Sequence, residues 1–329
     1  MKTALTKLMI LSGLVALAGF SAQAQTGASA STFVTIRPPL NSPTGVVTDR
    51  FNVGSNLQGL TYANQDEFYG PTLFYSIRND NAGNSTFTTI SSLTSTTAGR
   101  MSIGNHAFDA VTFAAPDVGY GPTIFYSLSH DIAGNSTFGT IQPTGVPYTA
   151  LFRVGQNFDA LTFSATDVGY GANLFYYLSH DNAGNSTFGT IDPTPDGIVT
   201  PLFPVGMNFD ELVFTATDVG YGADMFYYLR TDQNGNSVFG TIDAIASFTG
   251  PRVVDRFSLG APFEELTFTT TDVGYGPNLF YSLRSGAADT GGSGDIGGTS
   301  VPDTGSTLLL LGSGLVALGG LRRRLLSPA

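Results

Sequence analysis

Residues 158–193 read FDALTFSATDVGYGANLFYYLSHDNAGNSTFGTIDP, PLFPVG follows at 201–206, and together these stretches decide the fold. They contain four short β-type runs. The first, Phe158 to Phe163, and the third, Thr187 to Ile191, mix apolar and polar side chains as half-buried strands do. The second, Leu174 to Leu178, is apolar on both faces and therefore needs cover on both sides. A unit of four strands with a doubly covered interior strand predicts a propeller blade.

The same unit recurs along the chain with a period near 50 residues. Its signature DVGYG occurs four times, and a degenerate DEFYG precedes the first copy. The five copies begin at Asp66, Asp117, Asp167, Asp218 and Asp272, which gives spacings of 51, 50, 51 and 54 residues. A period of this length is typical of propellers and solenoids.

The repeat array begins and ends in the middle of a unit. STFVTI from Ser31 and RFNVG from Arg50 correspond to third and fourth strands, whereas FEELTF from Phe263 and LFYSL from Leu279 correspond to first and second strands. Two orphan strands at each end make one shared blade and remove an exposed sheet edge. We therefore predict an all-β, five-bladed β-propeller of four-stranded repeats over residues 25–285, with two-plus-two strand closure. An open β-solenoid or paired sandwiches are the alternatives. In blade count and repeat length this architecture resembles the five-bladed lectins of the tachylectin type, without a shared signature motif.

The composition excludes several classes of function. The chain has 41 glycines in 329 residues and no cysteine, so it suits tight turns and allows neither disulfides nor thiolate chemistry. From Gln25 to Ser300 the only cations are nine arginines, against 24 acidic residues, which gives a formal charge near −15. Such a surface repels phosphate backbones and anionic headgroups. We therefore expect no nucleic-acid partner and no peripheral membrane binding.

The N-terminal residues 1–24 have the pattern of a signal peptide. Lys2 and Lys7 precede an apolar run from Leu8 to Phe20, and Ala22-Gln23-Ala24 supplies the small residues that a signal peptidase requires. We predict cleavage between Ala24 and Gln25. A retained anchor helix is the alternative, but the apolar run is shorter than the roughly 20 residues that a bilayer span needs.

The C-terminal residues have the order of a sorting signal. A Gly/Ser-rich linker at 286–300 leads to a short motif, an apolar segment from Leu308 to Leu321, and an arginine cluster in the segment 301–329. The motif and cluster residues are Val301, Pro302, Asp303, Thr304, Gly305, Arg322, Arg323 and Arg324. The arginines favour the cytoplasmic side of a membrane, so the preceding domain faces outward.

This C-terminal segment resembles the PEP-CTERM sorting signals of Gram-negative bacteria, and in particular the VPDSG variant. Thr304 stands where that variant has serine. The motif also looks like the LPxTG signal of sortases, from which Val301 departs. The resemblance implies an exosortase-type processing enzyme as partner, a transient inner-membrane anchor through the C-terminal segment, and a final location at the cell surface or outside the cell.

The DVGYG loops are the candidate ligand-binding sites. Their glycines can adopt positive φ, their aspartates can accept backbone N–H bonds, and their tyrosines can wedge between blades, which is the structural interpretation. Alternatively, each loop binds sugar, because an aromatic ring stacks on pyranose C–H groups and a carboxylate accepts hydroxyl hydrogen bonds. The candidate residues are Asp117, Tyr120, Asp167, Tyr170, Asp218, Tyr221, Asp272 and Tyr275.

A second repeated loop, D-x-x-G-N-S, joins the second and third strands. Its copies begin at Asp80, Asp131, Asp181 and Asp232. These residue types favour an Asx-turn. Calcium binding is the alternative, although no alternating-acid loop of the EF-hand type is present. We therefore predict no metal and no other cofactor.

Few residues break the repeat as a catalytic site would. His106 occurs in one unit, while His130 and His180 occupy equivalent positions in two units. The acidic pairs that follow the first phenylalanine of a unit repeat with the fold and do not indicate a catalytic dyad: Asp210 with Glu211, and Glu264 with Glu265. No HExxH, GxSxG or Walker pattern is present.

These observations favour a non-catalytic, exported propeller of the cell surface or extracellular matrix, with polysaccharide as its partner. A purely structural envelope or biofilm component is the second hypothesis. A hydrolase that uses the central channel is the third.

Overall fold

The computed structural model describes residues 30–39, 45–194, 197–244 and 251–285. The chain divides into two compact units, Met1–Ala288 and Asp289–Ala329, and all the described strands lie in the first. The predicted signal peptide with its cleavage site at Ala24 and Gln25, the linker, and the sorting segment 301–329 lie outside the described residues. Within the described ranges, no helix has the length and apolar character to cross a bilayer.

Twenty described strands form five four-stranded antiparallel sheets, which confirms the predicted five-bladed propeller. Blade 1 takes strands from both ends of the array: β19 (Phe263–Thr269), β20 (Leu279–Ser285), β1 (Ser31–Arg37) and β2 (Val46–Gly54). Blade 2 consists of β3 (Leu57–Ala63), β4 (Leu73–Asn79), β5 (Ser85–Ser91) and β6 (Thr96–Gly104). Because β1 pairs with both β2 and β20, the predicted two-plus-two closure is also confirmed.

The other three blades each use four consecutive strands. Blade 3 consists of β7 (Ala107–Ala114), β8 (Ile124–His130), β9 (Asn135–Ile141) and β10 (Tyr148–Gln156). Blade 4 consists of β11 (Phe158–Ser164), β12 (Leu174–His180), β13 (Asn185–Asp192) and β14 (Ile198–Met207). Blade 5 consists of β15 (Phe209–Thr215), β16 (Met225–Thr231), β17 (Ser237–Asp243) and β18 (Arg252–Ser258).

The first strands of the blades are innermost and close the ring. Strand β3 contacts β7, β7 contacts β11, β11 contacts β15, β15 contacts β19, and β19 contacts β3. The fourth strand of each blade is an outer edge. Such an edge tolerates proline, and β14 accordingly contains Pro201 and Pro204.

One aromatic group recurs at all five blade interfaces and forms the core. In blade 4, the Tyr176 ring stacks on Phe188 at 5.6 Å and contacts Phe226 of blade 5 at 4.6 Å. The equivalent trios are Tyr227 with Phe239 and Phe280, Tyr281 with Phe33 and Phe74, Tyr75 with Phe87 and Phe125, and Tyr126 with Phe138 and Phe175. Aromatic pairs contribute about 0.5–1.5 kcal/mol beyond their area burial, so each interface is stabilised in the same way.

Because the strands are antiparallel, successive connections alternate between the two faces of the ring. The loops between first and second strands lie on one face, here called the DVGYG face. The hairpins between second and third strands lie on the other, here called the hairpin face, together with the connections from one blade to the next.

Candidate functional site

On the DVGYG face, each aspartate holds its own loop closed. Asp117 Oδ1 accepts hydrogen bonds from the backbone N–H groups of Gly119 at 2.8 Å and Gly121 at 2.9 Å. Both glycines have φ near +108°, a region that other residues rarely adopt. The same pair of hydrogen bonds forms at Asp167, Asp218 and Asp272. These backbone donors hold the pKa of all four carboxyls below the ordinary value.

The tyrosines of these loops reach toward the next blade. Tyr170 donates a hydrogen bond to the Ala244 carbonyl at 3.3 Å, and Tyr275 donates one to the Ser92 carbonyl at 3.3 Å. The guanidinium of Arg50 lies 4.1 Å from the centre of the Tyr275 ring. The two hydrogen bonds cross to the next blade, as the structural interpretation predicts, whereas the Arg50 contact lies within blade 1.

The ring faces of the tyrosines differ between blades. The guanidinium of Arg256 lies 4.3 Å from the centre of the Tyr221 ring and covers it in the same way as Arg50 covers Tyr275. The strand register places Leu151 and Leu202 at the equivalent positions of blades 3 and 4. Among the described residues, no guanidinium therefore covers Tyr120 or Tyr170, and Tyr170 is 38% exposed.

Blade 2 departs from the motif. Its loop reads DEFYG, and Asp66 Oδ1 accepts one backbone bond, from Gly70 at 2.9 Å. Phe68 replaces the first glycine at a φ of 74° and is 65% exposed, while Glu67 replaces a buried valine and is 3% exposed. Burial raises the pKa of Glu67, and Asp66 adds to the rise.

The second repeated loop forms the predicted Asx-turn. In blade 2, Asp80 Oδ1 accepts the backbone N–H groups of Ala82 and Asn84, each at 2.8 Å, and the Asn84 amide donates to Oδ2 at 2.8 Å. The backbone bonds recur at Asp131, Asp181 and Asp232. The turn itself therefore occupies Oδ1, and in blades 2, 3 and 4 it supplies one donor to Oδ2, which can accept a further hydrogen bond.

On the hairpin face, a residue near the start of each of four innermost strands is paired with the last residue of the adjacent strand. It is the third residue of β7 and the second residue of β3, β11 and β15. His130 Nδ1 lies 2.7 Å from Asp109, and His180 Nδ1 is hydrogen-bonded to Asp159. The corresponding pairs are Asp210 with Thr231 and Gln58 with Asn79. Sequence reasoning missed these pairs, although a constant spacing of 21 residues marks all four.

The two Asp–His pairs have the same pattern of pKa shifts. Burial raises the pKa of Asp109 and Asp159, and the hydrogen bonds from His130 and His180 oppose that rise. The same hydrogen bonds raise the pKa of both histidines. In each Asp–His pair, the pKa values of the acid and of the imidazole are therefore both raised, the first by burial and the second by the hydrogen bond.

The buried Glu265 and the partly buried Glu211 connect blades 5, 1 and 2. Glu265, 6% exposed and at a φ of 56°, accepts hydrogen bonds from the backbone N–H groups of Gly59 and Leu60 in blade 2. Glu211 of blade 5 accepts one from the backbone of Glu265. Burial raises the pKa of Glu265 to about 8, and burial together with Glu265 raises that of Glu211. In the sequence these residues look like part of a repeated acidic pair, but the ring closure brings them together.

The hairpin face carries a pocket between blades 2 and 3 and another between blades 4 and 5. The larger, of about 550 Å³, lies between blades 2 and 3 and is lined by Asn79, Gly83, Asn105, His106, Ala107, His130, Asp131 and Ile132. The smaller, of about 450 Å³, lies between blades 4 and 5 and includes Met207, Arg230 and Asp255. In the described ranges, no group of three or more histidines, aspartates and glutamates is arranged to hold a metal ion.

Solved structures with a similar arrangement include TolB from Acinetobacter baumannii, at 12% identity and a TM-score of 0.43, over 80% of this chain and 66% of TolB. Another is Zg3597, a family 117 glycoside hydrolase from the marine bacterium Zobellia galactanivorans, at 12% identity and a TM-score of 0.41, over 83% of this chain and 96% of that one. At this level of similarity neither activity transfers to this chain.

No curated protein sequence matches this chain. Residues 300–325 match the VPDSG-CTERM motif, and this range includes the residues from Val301 to Gly305 and from Arg322 to Arg324. The chain therefore carries a VPDSG-CTERM sorting motif after a five-bladed propeller, which points to an exported, surface-sorted protein.

Proposed function

We propose that this protein is a non-catalytic propeller of the cell surface or extracellular matrix that binds polysaccharide through its DVGYG loops. The observation that carries the proposal is the repetition, at four positions around one face, of an exposed aspartate followed by a tyrosine that is exposed in blade 4 and partly buried in the other three blades. In each loop the hydrogen bonds from the two glycine N–H groups end on Oδ1 of an exposed aspartate, which leaves lone pairs of Oδ2 to accept a hydrogen bond from a sugar hydroxyl.

Blades 3 and 4 are the strongest of the four sites. Sugar stacking requires an aromatic face, and arginines lie over the rings of Tyr221 and Tyr275. Tyr120 and Tyr170 have leucine at the arginine position. We expect these two tyrosines, with Asp117 and Asp167, to supply most of the affinity.

Repetition suits a polymeric partner. A single exposed aromatic–carboxylate pair binds one sugar weakly, but two or more equivalent sites on one rigid face bind neighbouring units of the same chain. The second contact is then intramolecular and raises the avidity. A body with a formal charge near −15 favours uncharged over anionic glycans.

The chain is sorted through its C-terminal segment before it binds polysaccharide. An exosortase-type enzyme removes the C-terminal segment after export, while the arginine cluster holds the chain transiently at the inner membrane. A mass spectrum of the mature protein is expected to lack Arg322 to Arg324. A mature chain that retains this tail would contradict exosortase cleavage.

A purely structural role is the second candidate, and a specific observation favours it. The aspartates close their own turns, and Tyr170 and Tyr275 bridge to the next blade. A protein that contributes only a stable scaffold to the envelope would repeat the same residues for the same reason.

A glycan array distinguishes these candidates. The full chain, purified in a detergent without a sugar headgroup, is compared with the double variant Tyr120→Leu/Tyr170→Leu, which keeps an apolar wedge but removes the aromatic faces. Tyr69→Leu, in the degenerate loop of blade 2 beside Arg100, is the matched control. Binding that only the double variant loses, with an unchanged circular dichroism spectrum, supports the proposal. An intact chain that binds no glycan would support the structural role.

A further inference from the structure

The larger pocket of the hairpin face lies where two irregularities of the repeat meet. The pocket encloses about 550 Å³ between blades 2 and 3, within the range of about 300–1,000 Å³ typical of small-molecule sites. It lies on the opposite face from the DVGYG loops. Neither irregularity is needed to build a blade, because the other blades fold without them.

The first irregularity is the connection from β6 to β7. At three of the other blade junctions, two residues separate a glycine from the residue that opens the first strand, and the second of them is an asparagine with positive φ: Asn56, Asn157 and Asn208. Between Gly104 and Phe108 there are three residues, Asn105-His106-Ala107, none with positive φ. The extra residue places His106 in the pocket lining, with its ring centre 4.8 Å from that of Tyr148.

The second irregularity is the tip of the blade 3 hairpin. Asn81, Asn182 and Gln233 occupy this position in blades 2, 4 and 5, where they face water. Blade 3 has Ile132, whose side chain is fully exposed and lines the pocket. Together with Ala107 and the His106 ring, Ile132 gives the pocket an apolar wall.

Polar groups complete the pocket. The Nδ1 atom of His130 is hydrogen-bonded to Asp109, which orients the ring and leaves Nε2 on its opposite edge. The Asn105 amide and the exposed Asp131 carboxylate lie beside it. An apolar wall facing a few convergent hydrogen-bonding groups is the usual arrangement for a sugar ring, which has an apolar C–H face and a polar rim.

The surrounding charge selects among sugars. Asp109, Asp131 and Asp159 all lie close to His130. Three carboxylates around one imidazole repel a negatively charged ligand. An uncharged ring fits this environment better than a uronic acid.

We propose that the pocket between blades 2 and 3 binds one uncharged pyranose unit, with its C–H face on Ile132 and His106 and its hydroxyls on His130 Nε2, Asn105 and Asp131. As part of a polysaccharide-binding protein this site rests on the proposed function, but it uses different residues on a different face.

The three histidines of the chain provide a direct test. The full chain is prepared with ¹³C-labelled histidine and titrated with glucose, galactose, mannose and N-acetylglucosamine to about 10 mM, in the range expected for weak single-site binding. The imidazole resonances of His106 and His130 are expected to shift and saturate with at least one sugar. Those of His180 are expected to stay unchanged, because blade 4 has the same Asp–His pair but neither the inserted residue nor the isoleucine. Equal shifts at all three histidines, or none, would overturn the proposal.

Two further measurements test the same assignment: a substitution in the pocket and a charged sugar. Ile132→Asn installs the tip residue of blades 2 and 4, so it preserves the fold, and it is expected to weaken sugar binding about tenfold. Gln233→Asn at the blade 5 tip is the matched control and is expected to change nothing. Glucuronate is expected to bind at least about tenfold more weakly than the preferred hexose. Equal binding of glucuronate, or an unaltered Ile132→Asn variant, would contradict the assignment.

The same reagents separate this inference from the proposed function. If array binding survives in Tyr120→Leu/Tyr170→Leu but is lost in Ile132→Asn, the pocket is the binding site and the DVGYG loops are not. If binding is lost in Tyr120→Leu/Tyr170→Leu but survives in Ile132→Asn, the loops are the binding site and the pocket proposal is wrong. Histidine shifts without any array binding would retain the pocket as a monosaccharide site and contradict the polysaccharide function.

Discussion

Adjacent tyrosines in the second strand of blade 5 have opposite hydrogen-bonding roles. The buried Tyr227 hydroxyl has no hydrogen-bond partner among the described residues, and the four equivalent core tyrosines share this feature. The Tyr228 hydroxyl donates to Asp255 at 2.6 Å. The two side chains therefore allow the hydroxyl contribution to be measured within one strand.

We predict that Tyr227→Phe leaves the free energy of unfolding unchanged or slightly raises it, because it removes a buried polar group without breaking a bond. Tyr228→Phe is expected to lower it by about 1 kcal/mol. Urea denaturation of both variants checks the difference. An equal loss in both would mean that the Tyr227 hydroxyl is satisfied in solution.

Glu265 is a buried acid whose protonation affects folding. Its pKa is raised by burial, and by Glu264 and Asp109, to about 8 in the folded protein. Because this lies above the unfolded value, the contribution of Glu265 to stability is complete at a pH below about 4.5 and is lost as the pH rises through about 8.

Glu265→Gln keeps an oxygen that can accept the Gly59 and Leu60 N–H bonds but removes the titration. We predict that the variant exceeds the parent in free energy of unfolding by about 2 kcal/mol near pH 8, with a much smaller difference near pH 5. Urea titrations at both pH values measure this, and the pH 5 value serves as the control. A gain of equal size at both would show that Glu265 does not titrate in this range.

At the level of elements, the second and third strands of blades 4 and 1 pair a large residue with a small one. Tyr177 on β12 lies opposite Gly189 on β13, and a Cβ on this glycine would lie 2.5 Å from the tyrosine oxygen. Blade 1 reverses the sizes, with Ser282 opposite Val34. In blades 4 and 1, the two paired residues at this position are therefore complementary in size.

We predict that Gly189→Val lowers the free energy of unfolding by about 1–3 kcal/mol through overpacking. The double variant Tyr177→Ser/Gly189→Val recreates the blade 1 pair and is expected to recover most of the loss, with a coupling energy above about 1 kcal/mol. A double-mutant cycle by chemical denaturation gives this value. Additive losses would refute the size-matching argument.

For the whole propeller, two sets of titratable residues with pKa shifts in opposite directions set the pH of greatest stability. Eight turn aspartates have lowered pKa values through backbone or side-chain hydrogen bonds, so their stabilisation is lost as the pH falls through the folded values. Glu265, Glu211, His130 and His180 have raised values, so their stabilisation is lost as the pH rises.

We therefore predict a stability maximum in mildly acidic solution, between about pH 4.5 and 6. Urea midpoints measured at about pH 3, 5 and 8 are expected to be highest at pH 5. A midpoint that continues to rise from pH 5 to pH 8 would contradict the assignment of the raised groups.

Some features of the fold could be predicted because their signals are local. The alternation in Phe158 to Phe163 and the doubly apolar run from Leu174 mark strands by themselves. The closure follows from the partial units at Ser31 and Leu279, since unpaired strands at both ends of one repeat array complete a blade. The turn role of the DVGYG aspartates also follows from residue type.

The candidate site was less accessible to prediction. The Asp109–His130 pair depends on strand register, although its 21-residue spacing recurs. Glu211 and Glu265 meet only because blade 5 packs against blade 1, and no pattern within either unit indicates that contact. The extra residue at His106 is visible in the alignment of units, but its position in a pocket with Ile132 requires the ring.

The sequence by itself determined the strand order, the number of blades, the closure and the sorting motif, because periodicity and residue type act over a few neighbouring positions. The tertiary structure alone decided which tyrosine faces are covered, which acids are buried together and where pockets open. These properties depend on desolvation and on contacts between distant strands, and both arise only when the five blades close into a ring.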